Sequence, residues 1–337
     1  MRKREVEPEI LDGIAETGID VAGMDQTLQD SLLRMIFVCC DPLVPAESQT
    51  ALALKTLCGF SIAETARALV STPESIAKRI TRAKTRLRES NLQLEQVSDE
   101  EICDRLPAVL RVIYLLFNEG YSSTQADRLI REELCEEAVR LALLLAEHPL
   151  TKCSTTAAFI ALLLFHASRL DARVDNNGVI MLFHQQRVAD WDLRLLREAY
   201  IWFERSTQTG EVSRYHAEAM IAAEHCRGKL NNQTDWKTIR RAYDLLCRMA
   251  PSPIHELNRA IAIAKEDGAP AGLDALSRID SQQLAQNYYL WHATAGELYA
   301  LADQHDAAEQ ALRRAWTLAP TSAEKELICR KIDKLST

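Results

Sequence analysis

The stretch "SIAETARALVSTPESIAKRITRAKTRLRE", Ser61 to Glu89, decides how this chain folds. It opens on "SIAE", Ser61 to Glu64, the pattern of a capping box: the hydroxyl accepts from the third amide while the Glu carboxylate accepts from the cap's own N–H. A helix is expected from there to about Leu69. The turn "VST" leads into Pro73 at a first-turn position, where its missing N–H costs nothing and Thr72 can serve as the cap. Beyond it, Ile76, Ile80, Ala83 and Leu87 share one narrow stripe on a wheel of about 100° per residue, so that stripe is the buried side. Upstream, Ala46 to Leu57 reads as another helix, ended by Gly59, a residue tolerant of positive φ. Helix, tight turn and helix of these lengths form a helix-turn-helix.

The second helix of the pair is also the most basic part of the chain. Between Thr72 and Ser90 six of nineteen residues are Lys or Arg, although the whole chain has a formal net charge of −8. Ser75, Lys78, Arg79, Arg82 and Arg86 lie in an arc of about 100° opposite the apolar stripe. An isolated basic helix is ordinarily a solvated face. Placed second in a helix-turn-helix, it is what a DNA major groove accepts, with early residues reaching base edges and later ones meeting phosphates. Arg79 and Arg82 have the fork for bidentate contacts to guanine, and Ser75 and Lys78 lie nearer the front of the helix. Because acidic surface repels phosphate, any DNA contact is expected to be local and salt-sensitive.

Helical periodicity extends over almost the whole chain, and the expected fold class is all-α. Upstream, "LQDSLLRMIFVCC" repeats apolar residues at Leu28, Leu32, Leu33, Met35 and Ile36 and stops at "DPLVP". After Ser90, "NLQLEQVSDEE" reads as a polar linker. A second helical block follows from about Ile102 to Gly228, interrupted by "DNNGVIMLF", which predicts a turn and a short extended piece. The end of the chain carries a repeat: in a tetratricopeptide frame of about 34 residues closing at Pro320, Gly296, Tyr299, Ala308, Ala315 and Pro320 fall on consensus positions. "RRAYDLLCRMAPSP" resembles the end of an earlier repeat, and "NRAIAIAKEDGAPAGLDALSRID" a degenerate middle one.

Several functional classes are disfavoured. The nine Cys are scattered and never form C-x-x-C, which argues for reduced thiols and against a disulfide framework or zinc ribbon. No metal is expected, since Cys39 and Cys40 have no His or Cys at ligand spacing. "SRLDARVDNNG", with Arg169, Asp171, Arg173 and Asp175, is not a calcium loop. Aligning Gly178 with the loop glycine puts Arg173 and His184 where carboxylates are needed, so an Arg/Asp network is expected instead. The apolar runs are too short for a membrane span, and "MRKREVEPEI" lacks the apolar segment of a secretory signal, so a cytoplasmic location is expected. "NEGYSS" around Gly120 reads as a helix-ending turn, and Trp191 between Asp190 and Asp192 as a packed aromatic with exposed acids. The eight His do not cluster, no Ser or Cys sits in a nucleophile elbow, and no glycine-rich phosphate loop occurs. Glu132, Glu133, Glu136 and Glu137 read as surface charges. No catalytic residue and no cofactor is expected.

"ESQTALALKTLCGFSIAETARALVSTPESIAKRITRAKTRLRE" resembles region 4 of bacterial RNA polymerase sigma factors of the extracytoplasmic-function type. The likeness continues through "SLLRMIFVCCDPLVPAESQTAL", "VIYLLFNEGYSS", "ASRLDARVDNNGVIMLFHQQRVADWD" and the tail, and resembles the branch with a long C-terminal extension. It implies a linker and lead-in helix over 1–44, the helix-turn-helix over 45–92, a helical extension over 100–230 and tetratricopeptide-like repeats over 231–337. It also implies promoter −35 DNA and RNA polymerase core as partners, with Ser75, Lys78, Arg79 and Arg82 facing DNA and Arg86 on the backbone. The extension is implied to modulate activity in place of a separate anti-sigma protein, and occlusion of the DNA face would be one route. One departure stands out: family members begin with region 2, which has no counterpart here, so the chain by itself is not expected to initiate transcription. The alternative is a protein-interaction module whose repeats bind a protein partner or another part of the chain, with the helix-turn-helix a remnant.

Overall fold

Helix α1 (Ser31–Cys39) buries Leu33, Met35, Ile36 and Phe37. It ends at the turn Cys40–Pro45, and α2 (Ala46–Thr56) follows. In this computed structural model the described residues are 31–69, 71–89, 99–123, 130–175, 181–279 and 286–335. Among them the protein is all-α, with no strand. Leu28, the linker 90–98 and the Asn-Asn-Gly turn at 176–178 lie outside the described residues.

The helix-turn-helix forms as its local chemistry dictates. Gly59 has φ +71°, the left-handed value that lets the chain reverse after α2. Ser61 then caps α3 (Ile62–Ala68): the Glu64 N–H donates to Ser61 Oγ at 3.1 Å, and the Ser61 N–H donates to Glu64 Oε2 at 2.6 Å. Helix α4 (Pro73–Glu89) starts with the Ser75 N–H donating to Thr72 Oγ1 at 3.2 Å. Its buried residues are Ile76, Ile80, Ala83 and Leu87, the stripe read from the sequence, and it packs on α2 and α3.

Helix α5 (Asp99–Tyr121) packs on α1 and α2 as well as on α6 (Glu132–Glu147). A buried polar hub joins these elements. The Arg105 guanidinium donates through Nη2 to Asp41 Oδ2 at 2.7 Å, and the two side chains are 1% and 3% exposed. Asp41 Oδ1 accepts from the Leu43 N–H at 2.8 Å, and Gln49 Nε2 donates to the carbonyls of Asp41 and Val44 at 2.7 and 2.8 Å. The turn "DPLVP" is thus held by side chains that satisfy its backbone, as burial requires.

Cα proximity divides the chain into two compact units with a boundary at Leu163/Leu164, inside α7 (Ser154–Ala167). The segment 100–230 contributes to both units, and α5 belongs with the helix-turn-helix.

The second unit continues with three 310 turns, Asp171–Arg173, Phe183–Gln185 and Val188–Asp190. Helices α8 (Leu193–Ser206), α9 (Arg214–Asn231), α10 (Trp236–Met249), α11 (Pro253–Asp267), α12 (Ala269–Ser277), α13 (Tyr289–Leu301), α14 (His305–Leu318) and α15 (Ser322–Asp333) follow. Each packs on its sequence neighbour, and α11 also touches α13. Gly296 sits where α13 meets α14: a Cβ there would lie 2.7 Å from Leu312 Cγ and 3.2 Å from the Ala308 carbonyl. Ala308 and Ala315 are fully buried along the same helix pair.

Candidate nucleic-acid interface

Helix α4 carries the cationic face. Its apolar stripe fixes its rotation against α2 and α3, and the opposite arc then points away from that core. Lys78, Arg82 and Arg86 are exposed, and Ser75 and Arg79 are half-buried. Glu74 lies in the first turn and Arg86 and Arg88 in the last, charges of the sign the helix dipole favours at each end.

The five residues share one flank but not one environment. Arg79 Nη2 lies 2.8 Å from Glu47 Oε2, at the start of α2, with the Arg side chain 27% exposed and the Glu 72%. Arg86 Nη1 donates to the Leu43 carbonyl at 3.2 Å. The side chains of Lys78 and Arg82 make no hydrogen bond or ion pair to any described residue. Two of the arginines are therefore tied to the α1–α2 turn and the head of α2, while Lys78 and Arg82 extend into solvent. The Arg79–Glu47 pair was not anticipated from sequence, because Glu47 reads as an ordinary first-turn acid of α2.

A further contact reaches the capping box from the connection after α5. Arg131 lies 3.7 Å from Glu64 Oε1 and 3.6 Å from Glu133. The "NEGYSS" segment ends α5, as its turn chemistry predicts. The size of Gly120 is needed for a second reason: a Cβ there would stand 2.7 Å from Cys135 Sγ and 2.8 Å from both the Arg131 carbonyl and the Cys135 N. The Arg131 N–H donates to the Gly120 carbonyl at 2.8 Å, so α6 starts against the end of α5.

The other sequence candidates resolve into packing. Burial pushes the Cys39 thiol up to about 12 and raises Cys40 and Cys58 as well, so these groups stay protonated at neutral pH. In the second unit, Arg169 donates to Gln186 Oε1 at 3.3 Å and to the Phe165 carbonyl at 3.4 Å, contacts His166 Nδ1 at 3.1 Å, and lies 4.9 Å from the Phe183 ring centroid. Those partners are neutral groups and an aromatic face. Burial, with the Arg169 charge beside it, pushes His166 down to about 3 and His225 down to about 4. Trp191 is buried, with its ring 6.1 Å from Phe183. Asp190 is exposed, and Asp192 caps α8 by accepting from the Arg194 and Leu195 N–H groups at 2.8 and 3.1 Å. Among the described residues no helix is long and apolar enough to cross a membrane.

A curated relative, "Uncharacterized protein R00370" of Rhizobium meliloti (strain 1021), is 35% identical over 309 residues, covering 91% of this chain and 72% of the relative. The chain belongs to the family of that rhizobial protein. Within the family's shared length, a model described as "Family of unknown function (DUF6596)" matches residues 105–207. That match begins at Arg105, the buried arginine of the hub, and runs through α5, α6, α7 and α8. No solved structure matches the chain.

Proposed function

We propose that the protein is a sigma-factor-like transcription protein, which binds promoter −35 DNA through α4 and RNA polymerase core through the same helix-turn-helix domain. The observation that carries this reading is the two-faced α4. It is locked by four buried apolar residues on one side, follows a capped partner helix across a tight turn, and presents Lys78 and Arg82 to solvent on the other. Ser75, Arg79 and Arg86 complete the DNA-facing set. The extension modulates this activity, and the protein acts in the cytoplasm without a cofactor or catalytic site.

Changing Arg79 and Arg82 together to Ala tests the assignment. A bidentate base contact from Arg79 contributes about 1–3 kcal/mol of discrimination and a phosphate contact from Arg82 adds salt-dependent affinity, so losing both removes most of the binding. Loss of binding to a −35 duplex with helix content unchanged supports the reading, and retained binding removes it.

A second reading has its own support. The α11–α13 contact, the serial packing of α10 to α15 and the close approach at Gly296 suit a tetratricopeptide-like array, which presents a concave protein-binding surface. On that reading the helix-turn-helix is a remnant. Absence of DNA affinity in low salt, with tight capture of a partner other than polymerase, favours it.

A further inference from the structure

Resting on the DNA-reading role of α4, we infer that Glu47 is a positioning residue for Arg79, and that this pair makes Arg79 the specificity-determining arginine of the face. Arg79 lies on the second turn of α4, within the part of a recognition helix that reaches base edges. Its guanidinium is held at 2.8 Å by a carboxylate from α2, a different helix. A free arginine loses much side-chain freedom on docking. Arg79 is already restrained, and one ion-pair contact through Nη2 leaves the other N–H donors of the fork available for a guanine edge. Arg82, one turn further on and without a partner among the described residues, is suited to following a phosphate. Arg86 is likewise held, on the Leu43 carbonyl at 3.2 Å, but lies too far along the helix for the bases.

The alternative role for Glu47 is simple repulsion: an exposed carboxylate beside the DNA face lowers affinity for every duplex alike. The two roles predict opposite changes. Selection of duplexes from a randomised library by the full chain supplies the preferred sequence. Affinities are then measured for that duplex and for single base-pair changes, using wild type, Glu47→Gln, Arg79→Ala and the double variant.

Glu47 is 72% exposed, so Glu47→Gln leaves the fold intact, which circular dichroism checks. The expected result is a loss of discrimination of about three- to fivefold, the scale of an exposed ion pair, confined to the base pair that Arg79→Ala identifies. Glu47→Gln has no effect in the Arg79→Ala background. Equal discrimination by Glu47→Gln and wild type, or a uniform rise in affinity for all duplexes, overturns the inference and leaves the DNA-reading role standing. A wild-type chain that selects no sequence overturns that parent reading, and the inference with it.

Discussion

Replacing Arg105 with Met removes the cation from the hub that joins α5 to the α1–α2 turn. Asp41 is 3% exposed and loses the one charged partner it has among the described residues, while its Oδ1 stays committed to the Leu43 N–H. Breaking a buried pair from one side costs about 3–5 kcal/mol, because the remaining charge is left uncompensated. Against a typical domain stability of about 5–15 kcal/mol, that is a large fraction. The composition supplies a convenient assay. All five Trp (Trp191, Trp202, Trp236, Trp291 and Trp316) lie in the second unit. Urea unfolding followed by circular dichroism reports both units, and Trp fluorescence reports the second alone. The expected result is a loss of helical signal at a lower urea concentration than in the unsubstituted chain. Adding Asp41→Asn to Arg105→Met keeps the contact to Leu43 while removing the stranded charge, and recovers more than half of the loss. A change below about 1 kcal/mol for Arg105→Met, or no recovery in the double variant, refutes the account of the hub; the former is the range of an exposed pair.

The neutral His166 and His225 make the second unit acid-sensitive. Their folded values, about 3 and about 4, lie below the ordinary histidine value, so the unfolded chain binds protons first. The stabilisation is complete above about pH 6.5 and is lost as pH falls towards 4, at about 1.4 kcal/mol per pH unit for each group. His225→Gln roughly halves that slope in fluorescence-monitored unfolding. At the α5–α6 approach, Gly120→Ala pushes a methyl group against two backbone atoms of the facing segment and destabilises the first unit by about 1–3 kcal/mol in urea titrations. Lys78→Ala and Arg82→Ala each reduce the salt dependence of DNA affinity by about one phosphate contact. A slope unchanged in Arg82→Ala takes that residue off the phosphate backbone.

Local chemistry made the helix-turn-helix legible. Ser61 and Glu64 are three residues apart and satisfy each other, Thr72 caps the next helix, and the period of Ile76, Ile80, Ala83 and Leu87 sets which side of α4 is buried. What sequence reasoning missed is non-local. Asp41 and Arg105 are separated by 64 residues, and neither shows a pattern that marks it as buried. Glu47 resembles any acid in a first turn until α2 and α4 pack, and Gly120 resembles a helix stop until α6 arrives against it. The hub also changes how the extension is to be tested. Cutting after Asn91 removes α5 from α1 and α2 and strands Asp41, so such a truncation is expected to unfold the helix-turn-helix instead of unmasking its DNA face. Full-length chains with point substitutions avoid that confusion.

The most direct test of a sigma-like role is capture of purified bacterial core RNA polymerase by the full chain at low salt, alongside a chain extended with a sigma region 2. The account predicts capture by both forms, stronger in the extended one, with Arg79→Ala and Arg82→Ala leaving capture intact while abolishing −35 binding. No capture by either form, with DNA affinity also absent, contradicts the account and leaves the helical repeats as the functional part of the chain.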